Sequence, residues 1–265
     1  MRELTSPRTQ GRRKRAPMNQ CRTSADLRER LSSGSPLFGV WNLLPGAITG
    51  ELIASCGPDY VVVDLQHGAI SETELPGVMN SIRKGGSTPL VRVRSSEFAD
   101  IGRALDLGAE GVIVPSITSV DHARRVLGHL MYPPSGTRSS GKLCGSSEDA
   151  FRVVMIETSG ALSDIDDILS LEGVDAIYVG PADLSLSLGL DRDSKEFARV
   201  LAEIISRSLS LHMPVGVHTH DVESARAFAL AGATLVTVAA DTAVLSDGVR
   251  EHLSAVRSLG GSSVG

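Results

Sequence analysis

Aromatic side chains make up only 3 % of the chain: one Trp, three Tyr and five Phe. A core so poor in rings has to be filled by Val, Ile, Leu and Ala, as the layered interior of a β/α barrel is. Cysteine is scarcer still. Cys21, Cys56 and Cys144 stand far apart and form no CxxC pair, which excludes a zinc cluster and a disulfide framework and fits a reducing cytoplasm. No apolar run approaches the ~18 residues of a membrane-spanning helix. The basic N-terminus has no apolar segment of the secretory kind, so a cytoplasmic protein without membrane contact is expected. Residues 1–22 hold six Arg and one Lys against one Glu, a balance of +6; the whole chain stands at −5, which leaves −11 for the rest. An acidic body excludes nucleic-acid binding as the main function, because that affinity rests on basic patches meeting phosphates. The segment Gly11-Arg12-Arg13-Lys14-Arg15 reads as part of a disordered extension over residues 1–24, and 259–265 as a flexible tail.

What is present is a repeat of short β-branched runs and helical patterns. Strands are expected at 38–41, 60–64, 89–93, 111–115, 152–157, 176–179, 215–218 and 235–238. Runs such as Val61-Val62-Val63 and Val112-Ile113-Val114 are apolar on both faces, as strands of a covered parallel sheet are. Helical spacing recurs at 48–56, 72–84, 98–107, 120–131, 161–171, 197–211, 222–231 and 243–256. Eight such units over residues 25–258 predict one α/β domain, a (β/α)₈ barrel. An open doubly wound sheet is the alternative, but no GxGxxG follows the first strand. The stretch 132–150, rich in Gly, Ser and Pro, is the one long irregular connection.

In such a barrel, chemistry sits where the strands end at the C-terminal face. The expected ends hold His67, Arg92, Glu157, Asp183, His218 and His220. Glu157 and Asp183, at neighbouring strand ends, can hold a hard dication and leave positions open for water and substrate; Asp183 alone also fits a helix N-cap. His67 suits a general base near neutral pH, or is an ordinary loop histidine. Arg92 suits an oxyanion stabiliser, or an ion pair with Asp64 or Asp106. Asp106 lies near a helix C-terminus, where negative charge is disfavoured. His218 and His220, two residues apart, are read as pointing to opposite sides. Of the lysines in the barrel region, Lys84, Lys142 and Lys195, none falls on an expected strand, which disfavours Schiff-base chemistry.

Six segments resemble, in order, the HpcH/HpaI family of class II pyruvate aldolases: Val63-Asp64-Leu65-Gln66-His67-Gly68, Pro89-Leu90-Val91-Arg92, Ala104-Leu105-Asp106-Leu107-Gly108-Ala109, Tyr132-Pro133-Pro134-Ser135-Gly136-Thr137-Arg138, Met155-Ile156-Glu157-Thr158 and Val179-Gly180-Pro181-Ala182-Asp183-Leu184-Ser185. The resemblance implies a pyruvate-type barrel that makes or cleaves 4-hydroxy-2-oxo acids from a 2-oxo acid and an aldehyde. It implies Glu157 and Asp183 as ligands of Mg²⁺, Mn²⁺ or Co²⁺, and His67 as acid–base with Asp106 raising its basicity. It further implies Arg92 at the enolate and the Ala182 backbone at the substrate carboxylate. A homo-oligomer is implied as well: a hexamer built from pairs that exchange their last helix, or a trimer. Two departures stand out. Met155 occupies a substrate-contact position where Gln is common, and the stretch from Arg138 to Glu157 is shorter than the family pattern. A related lyase on a CoA thioester, a decarboxylating relative and a catalytically silent barrel with a binding role are the competing expectations.

Overall fold

The computed structural model describes residues 23–141, 143–144 and 149–258; Lys142, the first 22 residues and the tail from 259 lie outside them. In chain order the elements are α1 (Ser24–Ser32), β1 (Leu37–Asn42), α2 (Ala47–Ser55), β2 (Tyr60–Asp64), α3 (Leu75–Gly85), β3 (Thr88–Arg92), α4 (Phe98–Asp106), β4 (Gly111–Val114), α5 (Val120–Leu130), β5 (Phe151–Ile156), α6 (Ser159–Ser163), α7 (Ile165–Leu169), β6 (Ala176–Val179), α8 (Pro181–Leu188), α9 (Lys195–Ser210), β7 (Val215–Val217), α10 (Val222–Leu230), β8 (Leu235–Ala240) and α11 (Asp241–Arg257). The eight strands are parallel and close into a barrel in sequence order, β8 pairing with β1. This is the (β/α)₈ fold that the strand pattern predicts. No helix among the described residues is long and apolar enough to cross a membrane.

Alternation along each strand sorts side chains into two layers. Val61, Val63, Val112, Val114, Val154, Ile156, Val215 and Val217 turn outward and pack under the helices. Leu37, Trp41, Tyr60, Val62, Leu90, Ile113, Phe151, Val153, Met155 and Tyr178 turn inward and fill the barrel. The sequence reading has no helix before residue 48, yet Thr23 and Asp26 form a capping box that starts α1. Leu27 and Leu31 of α1 join the inner layer and plug the barrel floor. One helix is expected over 161–171, but the chain breaks into α6 and α7 at Asp164. Its carboxylate accepts the Val120 N–H at 2.9 Å, so the break ties this segment to the start of α5.

Two rings set the inner packing. A Cβ on Gly39 would fall inside the Tyr60 ring, and one on Gly216 inside the Tyr178 ring. Glycine is required there for space. Gly39→Ala is expected to destabilise the fold by about 2 kcal/mol through overpacking, read as a lower urea midpoint with an unchanged slope. A midpoint equal to wild type would contradict this packing.

Candidate active site

The inward parity that fills the barrel also selects what reaches its C-terminal mouth. Asp64 and Arg92 are register partners at the ends of β2 and β3. Their side chains meet in a two-point ion pair, Arg92 Nε to Asp64 Oδ1 at 2.9 Å and Nη2 to Oδ2 at 2.6 Å. Asp64 is fully buried and Arg92 nearly so. The Arg92 guanidinium also lies 4.3 Å above the Trp41 ring, a cation–π contact that holds it flat. Of the two partners that the sequence offers for Arg92, the structure selects Asp64. Asp64 Oδ1 further accepts the N–H groups of Gln66 (3.0 Å) and His67 (3.3 Å), so the same carboxylate fixes the turn that presents His67 at the exposed rim.

Glu157 continues the inward series Phe151, Val153, Met155 one step beyond β5 and is 4 % exposed. Its Oε1 accepts the Ser116 N–H at 2.5 Å. Ser116 follows β4 with φ of +60°, a conformation that costs a non-glycine residue about 1–3 kcal/mol and is found where geometry serves a site. Glu157 Oε2 is buried and has no hydrogen-bond partner among the described residues. Burial raises the Glu157 carboxyl above its ordinary range; the Ser116 N–H opposes this, the Asp183 charge adds to it, and Arg92 and His67 oppose it. Asp183, Arg92 and His67 therefore lie within electrostatic reach of Glu157.

Asp183 is exposed and occupies the third position of α8, whose N-cap is Gly180 without any side-chain cap. The helix begins at Pro181, so Asp183 lies inside its first turn and is not its N-cap. The first-turn N–H groups of a helix lack intrahelical partners and favour anions, and Ala182 lies in that turn. A Cβ on Gly180 would come within 2.8 Å of Glu157 Oε2 and 3.2 Å of Met155 Cε; Gly180 thus leaves the room in which Glu157 sits. Met155 is buried in the inner layer beneath that carboxylate. Among the described residues no group of three or more His, Cys, Asp and Glu side chains is placed to hold a metal ion, so the acidic pair stands alone.

Asp106 is placed elsewhere. It closes α4, and its carboxylate meets Arg138 Nη2 at 3.4 Å. Among the described residues no hydrogen bond joins it to His67. Arg138 is buried and stacks 4.5 Å from the Tyr132 ring centre. The Asp106 carbonyl accepts the N–H groups of Leu143 (3.1 Å) and Cys144 (3.0 Å), so these two residues lie across the end of α4. The imidazoles of His218 and His220 are 4.8 Å apart, against the expectation that they diverge. The expectation was wrong, since residues two apart in extended chain share a face. Trp41, Ser116 and Gly180 have site contacts that motif reading alone does not reveal. Inward parity counted along β1 finds Trp41, and nothing in the sequence marks Ser116.

Fold and mouth together define a (β/α)₈ enzyme with its polar groups at the C-terminal strand ends. The chain belongs to the HpcH/HpaI aldolase/citrate lyase family, whose pattern matches residues 38–247. It is a carbon–carbon lyase of the aldolase type. The hydroxypyruvate/pyruvate aldolase of Rhizorhabdus wittichii is 33 % identical over 243 residues, 86 % of this chain and 97 % of that protein. The 2-keto-3-deoxy-L-rhamnonate aldolase of Escherichia coli O157:H7 is 28 % identical, covering 87 % and 92 %. A solved HpcH/HpaI aldolase/citrate lyase family protein from Burkholderia cenocepacia superposes with a TM-score of 0.82 at 28 % identity, covering 87 % of this chain and 98 % of that one.

Proposed function

We propose that this chain is a divalent-metal-dependent aldolase that cleaves 4-hydroxy-2-oxo acids to a pyruvate-type acid and an aldehyde, and runs the reverse addition. The observation that carries the reading is the unpaired Glu157 Oε2, buried beside the charge of Asp183. A buried carboxylate with a free oxygen and a like-charged neighbour is unfavourable by itself and fits a cation of hard, oxygen-seeking character. Glu157 and Asp183 would hold Mg²⁺, Mn²⁺ or Co²⁺, which supplies Lewis-acid polarisation of a 2-oxo acid. The backbone N–H of Ala182 receives the substrate carboxylate at the α8 N-terminus. Arg92, locked by Asp64 and Trp41, presents fixed positive charge to the C2 oxygen as it becomes an enolate. In cleavage, His67 takes the proton from the C4 hydroxyl while the C3–C4 bond breaks and its electrons pass to the C2 oxygen. The aldehyde then leaves, and a proton returned to C3 gives the free 2-oxo acid. Within one chain Asp106 has Arg138 as its partner, and this mechanism assigns it no proton. A retro-aldol screen of 4-hydroxy-2-oxo acids with coupled pyruvate detection tests the reading. Metal-dependent release from at least one of them is expected, and a folded protein that releases none contradicts it.

The same reading includes a homo-oligomer, cytoplasmic in location. Asp241 is the one buried residue of α11, whereas Val244, Leu245, Val249, Leu253 and Val256 are 47–68 % exposed. Beside α10, the outer sides of β1 and β8 border an apolar groove with Phe38, Val222, Ala229, Leu230 and Val238. An apolar helix face and an apolar groove on one chain suit an exchange of last helices between two copies. Leu245→Glu with Val249→Glu is expected to shift the mass in sedimentation to a single 27.9 kDa chain. An unchanged oligomer mass would contradict helix exchange.

A further inference from the structure

We infer that Asp241, at the start of the last helix, is a positioning residue for the reaction: its carboxylate fixes the turn after β1, and that turn holds the His67 turn in place. This rests on the aldolase reading above, which makes His67 the group that takes the C4 hydroxyl proton.

Asp241 opens α11 and is buried, 8 % exposed. A negative charge in the first turn of a helix is ordinarily explained by the helix dipole. The hydrogen bonds of Asp241 point elsewhere. Only one donor belongs to α11, the Thr242 N–H at 2.7 Å. The other three belong to the β1–α2 turn: Asn42 Nδ2 at 2.8 Å, the Leu43 N–H at 3.1 Å from both oxygens, and the Leu44 N–H at 3.0 Å. These four donors fill the lone-pair positions of a carboxylate, which leaves none for a cation or a substrate. Asn42 also donates to the Leu44 carbonyl at 2.9 Å and so closes the turn on itself. The clamp sits where the barrel seam is irregular. The β1–β8 register shifts between Gly39 and Val40, and beyond the shift Trp41 pairs with Ala240. Asn42 and Asp241 are the next residues on each side, and their side chains extend the pairing past Trp41.

The turn so fixed backs the His67 turn. The Leu43 carbonyl accepts the Ala69 N–H at 2.8 Å, two residues past His67. A Cβ on Gly68 would lie 2.2 Å from the Asp64 carbonyl oxygen and 3.1 Å from that of Leu43, so Gly68 is wedged between them. On its other side the turn hangs on the Asp64 carboxylate through the Gln66 and His67 N–H groups. Two carboxylates therefore grip the segment that presents His67, Asp64 directly and Asp241 through Leu43. Among the described residues no hydrogen bond joins Asp241 to His67, so the influence is mechanical. Proton transfer needs the imidazole within hydrogen-bond reach of the C4 hydroxyl. A misplacement of about 1 Å costs on the order of a hundredfold in rate.

The test is Asp241→Asn in the full-length protein with Mg²⁺, assayed on a 4-hydroxy-2-oxo acid that wild type cleaves. Whichever way the amide turns, its NH₂ group meets N–H donors, so the clamp loosens at constant volume. The value of kcat is expected to fall about tenfold with KM within about threefold, because the groups assigned to binding are untouched. In a His67→Ala background the same change is expected to leave the residual rate within about twofold, since a residue that acts through His67 then has nothing to act on. Amide hydrogen exchange gives a second readout. The Ala69 N–H, which Asp241 does not touch, is expected to exchange at least about tenfold faster in Asp241→Asn. Unchanged kcat, unchanged Ala69 exchange or an equal fall in both backgrounds overturns the inference while the aldolase reading stands. If His67→Ala has no measurable rate, the kcat–KM split and Ala69 exchange decide. Wild-type protein that cleaves no 4-hydroxy-2-oxo acid overturns the aldolase reading and this inference together. If Asp241→Asn does not fold, Asp241→Ser is read in the same way. Should that variant fail as well, the Ala69 amide of wild type must be protected together with those of Leu43 and Leu44, and free exchange at Ala69 overturns the inference.

Discussion

Asp183→Ala is expected to abolish metal-stimulated turnover, by about a thousandfold or more, while the barrel stays folded. Such a loss corresponds to about 4 kcal/mol of transition-state stabilisation, within reach of a lost metal ligand. The structural cost is small. Asp183 is exposed, caps no helix and accepts no hydrogen bond among the described residues, so its removal orphans nothing. What goes is a negative charge in the first turn of α8, about 0.3–1 kcal/mol of dipole interaction. The pH dependence adds a second readout. Burial and Asp183 raise the Glu157 carboxyl, so the folded, metal-free protein holds that proton more tightly than the unfolded chain does. Its contribution to stability is present at low pH and is lost as pH rises from the unfolded value through the raised one. A cation replaces that proton, so its stabilising effect must grow with pH. The melting temperature of wild type should rise on adding Mn²⁺, more at pH 7.5 than at pH 5, and that of Asp183→Ala should not. Wild-type-like turnover in the variant would refute the assignment of the pair.

Arg92→Ala should be destructive twice over. Asp64 is fully buried, and without the guanidinium its remaining hydrogen-bond donors among the described residues are the Gln66 and His67 N–H groups. Breaking a buried ion pair from one side costs about 3–5 kcal/mol, and a large fall in melting temperature is expected. Loss of activity in that variant would then be ambiguous. The pair Arg92→Met with Asp64→Asn separates the two effects. No charge is left buried, Asn keeps an acceptor for the Gln66 and His67 N–H groups, and Met fills part of the space over Trp41. Most of the stability is expected to return while turnover stays at least about a hundredfold down, the usual cost of removing an oxyanion stabiliser. Turnover restored along with stability would reduce Arg92 to a structural role.

These effects follow from features that differ in how far the amino-acid order reveals them. The eight strands were legible because a parallel barrel demands apolar residues on both strand faces, and Val61-Val62-Val63 or Val153-Val154-Met155-Ile156 satisfy that demand without ambiguity. The polar residue that ends such a run lies at the mouth by construction, which is why His67, Arg92, Glu157 and Asp183 could be picked out together. Tertiary pairing was harder to read. Arg92 had two candidate carboxylates, and only the β2–β3 register selects Asp64. Asp106 is drawn to Arg138 because the Tyr132–Arg138 turn folds back against α4, a long-range docking that no local spacing encodes. The break at Asp164 likewise depends on the Val120 N–H, 44 residues away. Helix α1 was missed although Thr23 and Asp26 mark its start, because it is short and lies beside the basic extension.

Exchange of the C3 protons of pyruvate for deuterium in heavy water, followed by mass spectrometry, tests the enolate chemistry without knowledge of the aldehyde. Purified protein should catalyse the exchange with Mg²⁺, Mn²⁺ or Co²⁺ and lose it on chelation. A folded protein that leaves pyruvate unlabelled with all three cations would contradict the proposal that Glu157 and Asp183 hold a cation that activates a 2-oxo acid.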